Sequence, residues 1–326
     1  MRTVDANGVS MSVIGIGTWQ FGSREWGYGS EYADIEVGRI FERAFELGIN
    51  VVDTAELYSR GRSERIVGRE LARLGVRDRA FVATKLLPLL PLGAVVVHRG
   101  RASRRRLGID AIDLYQLHFH NRFVPIERQV AGLRSLQRRG IVREVGVSMF
   151  NVEQWQEAET ALGGPILTNQ MIFSLAAPYA SDEAIPWAVA HDRIVIAASP
   201  LAMGLLSCRY GAGDQPAGFR RRSPLFRPEN LAMAQPLFDA VRAVAARHGA
   251  RPAQVALAWV IHHPNVVAIP GASSVAQLEQ NVAAADIELT EDEFDLLSAA
   301  ARGFRPVTPP YTRWSHLAAI GRELVA

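Results

Sequence analysis

The chain is poor in three things, and each shortage narrows what it can be. It has one cysteine, Cys208, which excludes an intrachain disulfide and any metal site built from a cysteine cluster. A lone thiol fits a reducing compartment, and a cytoplasmic protein is expected. It has no long apolar run. Residues 1–10 lack a signal-peptide core, and the most apolar stretch, residues 86–97, is too short to span a bilayer and holds Pro88 and Pro91. No membrane partner is expected. Finally, it has almost no lysine: of 36 basic residues only Lys85 is one. A generic surface cation in this chain is arginine, the mark of GC-rich coding. The position that keeps lysine therefore asks for a compact ammonium on a flexible stem, tunable by its surroundings.

What is present suits one large folded unit. With 326 residues, 48% of them hydrophobic, the chain can bury a full core, and a single domain over residues 1–326 is expected. The formal net charge is only +3. Arginine runs such as Arg104-Arg105-Arg106 and Arg220-Arg221-Arg222 read as solvated faces. No aromatic platform accompanies them, so nucleic acid is not expected.

Short β-branched runs alternate with helical patterns along the chain. Residues 2–12 alternate around Asn7-Gly8 and read as a β-hairpin. Strands are predicted at residues 14–18, 50–54, 80–85, 111–117, 142–147, 166–170, 193–198 and 266–270. Between them fall helices near 34–47, with Asp34 as its N-cap, then 63–73, 93–107, 126–138, 151–162 and 182–191, and a longer pair at 230–248 and 252–262. Thr290 and Glu293 have the spacing of a capping box for a last helix before a tail. Eight strands alternating with helices define an α/β fold of the (β/α)8 TIM-barrel type, with an N-terminal hairpin, a long loop after the seventh strand and a C-terminal helix plus tail. A doubly wound open sheet would want a third glycine after its first strand, which Gly15-Ile16-Gly17-Thr18-Trp19-Gln20 lacks.

Three strands deliver titratable groups at their C-terminal ends: Asp53, Lys85 and His118, with Tyr58 in the loop after the first. In a parallel barrel those ends share the face that carries the chemistry. A free phenol, with a pKa near ~10, hands over its proton poorly at neutral pH. An ammonium beside it favours the phenolate, and a carboxylate keeps that ammonium charged and in place. An imidazole orients a substrate oxygen. His120 competes with His118, but His118 ends the apolar run. The set suits protonation of a carbonyl oxygen as hydride reaches its carbon. No serine or cysteine nucleophile is placed for acyl transfer, and the eight histidines form no spaced ligand set, so no metal is expected. Hydride needs a nicotinamide cofactor, since no side chain supplies it.

These fragments together resemble the aldo-keto reductases. The matching pieces run from Gly15-Ile16-Gly17-Thr18-Trp19 through Asp53-Thr54-Ala55, Tyr58, Ser63-Glu64-Arg65 and Thr84-Lys85. They continue with Arg106-Leu107-Gly108, residues 113–118, Gly146-Val147-Ser148, Asn169-Gln170, Ser199-Pro200-Leu201, and Ile269-Pro270-Gly271 to Asn281. The resemblance implies Tyr58 as general acid, Lys85 and Asp53 as its tuners, and His118 as the orienting group. It implies that Ser148, Asn169 and Gln170 bind a nicotinamide carboxamide. Gly17, Thr18, Trp19, Ser199, Pro200, Leu201 and Gly204 line the cofactor, with Ile269, Gly271, Ala272, Ser273, Gln277, Gln280 and Asn281 at its adenosine end. Two departures stand out: Met149 where the family very often has Asn, and Ala198 where a Tyr usually stacks on the nicotinamide. The adenosine stretch offers hydroxyls and amides where many relatives place Lys or Arg. It is similar in this to the potassium-channel β subunits. NADP(H) is the expected cofactor on family grounds, with NAD(H) as the alternative.

The expected activity is reduction of a small-molecule aldehyde or ketone to an alcohol. The alternative is a cofactor-sensing regulatory subunit with slow or no turnover. Trp26, Tyr28, Phe119, His120, Phe123, Met149 and Phe173, with Tyr311 and Trp314 from the tail, either line a substrate pocket or pack the loops onto the barrel.

Overall fold

In the computed structural model, which describes residues 1–30 and 32–307, eight parallel strands alternate with helices around a barrel. Two antiparallel strands come first, β1 (Thr3–Ala6) and β2 (Val9–Ser12), joined at Asn7-Gly8. Both turn residues take positive φ, 50° and 76°, as a two-residue hairpin of this hand demands. The barrel strands are β3 (Ile16–Gly17), β4 (Val51–Asp53), β5 (Phe81–Leu86), β6 (Ile112–Leu117), β7 (Val142–Ser148), β8 (Thr168–Ile172), β9 (Ile194–Ala198) and β10 (Val266–Ala268). Each pairs in parallel with the next. Gly15 and Gly17 close the ring by donating to the carbonyls of Ala268 and Pro270 at 2.8 and 3.1 Å. Only glycine fits at that seam, since a Cβ on Gly17 would lie 2.6 Å from the Ile269 carbonyl oxygen.

The outer ring is α1 (Asp34–Glu46), α2 (Arg62–Leu74), α3 (Gly93–Leu107), α4 (Ile126–Arg138), α5 (Val152–Leu162), α6 (Ala184–Ala190), α7 (Pro228–Met233), α8 (Gln235–Arg247), α9 (Pro252–His262), α10 (Val275–Ala283) and α11 (Glu291–Gly303). Thr290 and Glu293 form the capping box that starts α11. Asp34 stands inside the first turn of α1 and Ala33 takes the cap position, so the carboxylate faces the helix dipole rather than capping.

Three boundaries differ from the pattern read in sequence. The first barrel strand shrinks to two residues. The strand expected at 166–170 begins at Thr168, because Ile166 gives its N–H to Glu159 and its carbonyl to the Trp155 indole. The helix expected at 230–248 is two, α7 and α8, broken where Pro236 enters the first turn of α8. Tyr311 and Trp314 lie outside the described residues.

Strand side chains alternate, and that parity assembles the site. Val51, Ala83, Leu114, Ile194, Ile196 and Val267 fill the barrel interior, and Ala6 and Met11 of the hairpin pack on them. The same inward parity, continued toward the C-terminal ends, brings up Asp53, Lys85, His118, Ser148, Gln170 and Ala198. Among the described residues no helix is long and apolar enough to cross a membrane.

Candidate active site

Lys85 is fully buried at the end of β5. Its Nζ donates to Asp53 Oδ1 at 2.6 Å, to the Thr54 carbonyl at 2.8 Å and to Tyr58 Oη at 3.2 Å. An ammonium has three N–H bonds, and all three are used. The second Asp53 oxygen accepts from Gln170 Nε2 at 2.8 Å. Burial pushes the Asp53 carboxyl above its usual range, against the pull of Lys85 and Gln170. Burial also works against the Lys85 ammonium, but Asp53 and Tyr58 together outweigh it and its pKa is raised. The lysine holds its proton.

His118, one residue past β6, lies edge-on to Tyr58 with ring centroids 6.0 Å apart. Burial, and then the positive Lys85, pushes it down to about 3. It is therefore a neutral imidazole at pH 7. Its Nδ1 is buried with no hydrogen-bond partner among the described residues. His120 turns away, its Nδ1 3.1 Å from Gln154 Nε2 and its ring against Phe150. The three strand-end groups and the loop residue Tyr58 thus meet at one point.

Backbone groups around Asp53 are seated by small hydroxyls. Thr18 donates to the Asp53 carbonyl from both its N–H and its Oγ1, at 3.0 and 2.9 Å, and Ser63 Oγ lies within 2.9 Å of both the Thr18 and Thr54 hydroxyls. Trp19 stands between Trp26 and Tyr58, with centroids 5.0 and 6.5 Å away. The Arg220 guanidinium lies over Trp26 at 5.0 Å while its Nε donates to the Met203 carbonyl. Arg222 pairs with Glu25 at 3.6 Å. The long loop after β9 therefore folds across to the loop after β3.

The residues assigned to a cofactor by resemblance fall into three groups. Ser148 Oγ donates to the Gln170 carbonyl at 2.8 Å, and the Gln170 side chain is shared with Asp53. Asn169 is occupied elsewhere, its Nδ2 donating to the Phe150 carbonyl at 2.7 Å. Ser199 takes a φ of 50° and Gly204 one of 91°, and the turn between them is closed by Ala202 donating to Ser199 and Gly204 to Leu201. Pro200 is buried inside it. At the adenosine end Ile269 and Ala272 are buried, Gln280 is half-buried, Ser273 donates to Gln277, and Asn281 donates to the Gly271 carbonyl. Ser274 caps α10. One N–H of that first turn, Val275, is taken by Glu36 Oε1 of α1 at 3.0 Å. No local spacing announces this carboxylate, which lies 239 residues away.

Met149 has a φ of 58°, the left-handed region where Asn is favoured and Met is strained. Two pocket candidates belong to packing instead. Tyr28 is buried, hydrogen-bonded to Asp34 and set against Tyr32 and Arg62. Phe173 is buried between Trp259 and His263. Trp26, Phe119 and Met149 remain at the mouth, Phe119 resting on Leu57 and Leu87.

Behind the tetrad lies a polar layer that sequence reading missed. Glu56 and Glu64 are buried carboxylates on the β4–α2 connection and α2, paired with Arg99 and Arg106 of α3. Thr84 donates to Glu64 at 2.7 Å. Their partners lie 20 to 43 residues apart in sequence, so no local spacing announces them. Among the described residues, no group of three or more His, Cys, Asp or Glu could hold a metal ion.

Comparison with known proteins agrees with this architecture. The model of the Aldo/keto reductase family matches residues 13–302. An uncharacterised oxidoreductase of Mycobacterium tuberculosis is 50% identical over 309 residues, 94% of this chain and 95% of the relative. The methylglyoxal reductase YeaE of Escherichia coli is 33% identical over 293 residues, 90% of this chain and 92% of the relative. Among solved structures, an aldo/keto reductase from Klebsiella pneumoniae in complex with NADP and acetate is 28% identical, with a TM-score of 0.73 over 95% of this chain and 97% of that one. The chain belongs to the aldo-keto reductase family.

Proposed function

We propose that the protein reduces an aldehyde or ketone to an alcohol using NADP(H), with Tyr58 as the proton donor. The observation that carries this reading is Lys85, whose three N–H bonds reach Asp53, the Thr54 carbonyl and Tyr58 Oη at once. A charged ammonium at 3.2 Å stabilises the phenolate left when Tyr58 gives up its proton, and Asp53 keeps that ammonium in place. The neutral His118 offers an uncharged donor to the carbonyl oxygen without competing for the proton Tyr58 supplies. A reduced nicotinamide, when bound, supplies the hydride for the carbonyl carbon.

The chain's own groups fit such a cofactor. Gln170 spends its amide N–H on Asp53 and has its oxygen left to accept, next to Ser148. The turn at residues 199–204 presents main-chain groups suited to phosphate, while in the first turn of α10 the Val275 N–H is held by Glu36 and the Gln277 N–H by Ser274. The Klebsiella relative solved with NADP supports the phosphorylated form, and the methylglyoxal reductase relative supports a small carbonyl substrate.

Replacing Tyr58 with Phe tests the assignment. Cofactor affinity, read by tryptophan fluorescence, should persist while kcat for carbonyl reduction falls by about 100-fold or more. Near wild-type kcat in Y58F would end the proton-donor reading. Tight cofactor binding without turnover on any carbonyl in the unmutated protein would favour the sensing subunit.

A further inference from the structure

The loop that carries Tyr58 is fastened to the strand that carries Lys85 by one residue, and that residue is held by another. Glu56 lies two residues before Tyr58. Its N–H donates to the Lys85 carbonyl at 3.2 Å. Its Oε1 accepts from the Leu87 N–H at 2.5 Å. Glu56 thus reaches the β5 exit twice, through its backbone N–H at Lys85 and through its side chain at Leu87. Arg99 of α3 completes the grip: Nη1 donates to the Leu87 carbonyl at 2.6 Å, Nε donates to Glu56 Oε2 at 3.0 Å, and Nη2 pairs with Glu56 Oε1. Leu87 is therefore bound at its N–H by a carboxylate and at its C=O by the guanidinium paired with that carboxylate. Arg106 stands 3.9 Å from Glu56 Oε2, and belongs mainly to Glu64.

We infer that the Glu56–Arg99 pair is a positioning device for the reaction centre, setting how Tyr58 Oη meets Lys85 Nζ. Neither residue touches the reacting atoms. A charge pair beneath an active-site mouth, with 9% exposure on Glu56 and 25% on Arg99, costs desolvation that an apolar pair would avoid. Here it supplies something an apolar pair cannot, namely bonds to both main-chain polar groups of Leu87. Tyr58 follows directly: its own N–H returns to the Ala55 carbonyl, and Lys85 takes the Thr54 carbonyl, so the segment from Thr54 to Tyr58 has both its ends referred to β5. If Glu56 lets go, that segment keeps its covalent path but loses its anchor, and the 3.2 Å contact lengthens. The consequence deepens the reading of Tyr58 as acid and rests on it.

The test reads the Tyr58 phenol directly, without substrate. Ultraviolet titration of phenolate at alkaline pH is run on the parent, Glu56→Gln, Arg99→Gln and Arg99→Lys, each subtracted against the same protein carrying Tyr58→Phe. Positioning requires the Tyr58 midpoint to rise in both Glu56→Gln and Arg99→Gln, by about one pH unit, a tenfold change in proton affinity. A simple through-space charge effect gives opposite signs, down when the carboxylate is neutralised and up when the guanidinium is. Arg99→Lys, which keeps charge and one donor, should return part of the shift. The alkaline limb of kcat should move with the midpoint, with cofactor Kd unchanged. Opposite shifts, or unchanged midpoints beside a lowered melting temperature, would overturn the inference and leave the pair a fold-stabilising contact. Should Glu56→Gln fail to fold, Glu56→Asp takes its place: it keeps the charge, so a through-space effect leaves the Tyr58 midpoint unmoved, while loss of the Leu87 contact raises it. Failure of the acid assignment is read separately: reduction surviving in Tyr58→Phe ends that assignment, while the titration continues to report the clasp.

Discussion

Met149 is poorly suited to its backbone, and Glu36 to the cofactor that resemblance places beside it. Met149 sits at a φ of 58° with its side chain 48% exposed, so it strains the backbone and gains little packing in return. Asn accepts the left-handed region far better. Met149→Asn should raise unfolding free energy by about 1 kcal/mol, measured by urea denaturation. A loss of stability would mean the thioether packs on the site in a way the backbone does not reveal. Glu36 puts a carboxylate on the Val275 N–H, at the helix end where resemblance places the adenosine portion of the cofactor. Two like charges at contact range in water repel by about 1 kcal/mol. Glu36→Gln should therefore tighten NADPH relative to NADH by about fivefold, read from paired fluorescence titrations. Equal changes for both cofactors would remove Glu36 from the 2′-phosphate. Composition showed that residues 271–281 lack a cation; it could not show that an acid comes in from α1.

The helices around the site pack with little tolerance, and glycines mark where. A Cβ on Gly68 of α2 would lie 2.0 Å from the Leu107 carbonyl oxygen at the end of α3. That atom is backbone and cannot swing aside. Gly68→Ala should cost about 2 kcal/mol or more in stability, and because α2 carries Ser63 and Glu64 it should lower activity as well. A fully active, equally stable G68A would show that α2 and α3 can part freely. Elements were the most legible level in the sequence. Every barrel strand was anticipated within two or three residues at each end, because β-branched runs and turn residues set them. The misses have local causes: Pro236 breaks a helix, and side chains of Glu159 and Trp155 take the backbone groups of Ile166. At the site, Asp53, Lys85 and His118 are legible for a geometric reason, since parity along β4, β5 and β6 sends them to one mouth, and Tyr58 comes up on the loop after β4. The Glu56–Arg99 and Glu64–Arg106 pairs were not, since which arginine of 36 basic residues meets which acid is decided only by how α2 and α3 lie against each other.

At the scale of the whole molecule, stability should be flat near neutral pH and fall on both sides. His118 is depressed to about 3, so the unfolded chain takes up its proton first, and stability is lost as pH falls from 6.5 toward 3. This one group contributes a slope of at most about 1.4 kcal/mol per pH unit. Asp53, raised by burial, acts in the opposite sense in the acid range. Lys85 is raised, so its contribution is complete below 10.5 and disappears as pH climbs through its folded value. Denaturation midpoints across pH would show this profile, and His118→Asn should make the acid side alone shallower, the buried His263, pushed down to about 4, keeping part of the slope. An unchanged acid limb in H118N would place the acid sensitivity in other groups. Lys85 has one more consequence. Since it is the chain's only lysine and is wholly shielded, the native protein offers no lysine amine at its surface for acylation. An adduct on Lys85 reports an opening of the barrel mouth, so the rate at which a small amine-directed reagent modifies that side chain, counted apart from the exposed N-terminal amine, is a clock for that opening.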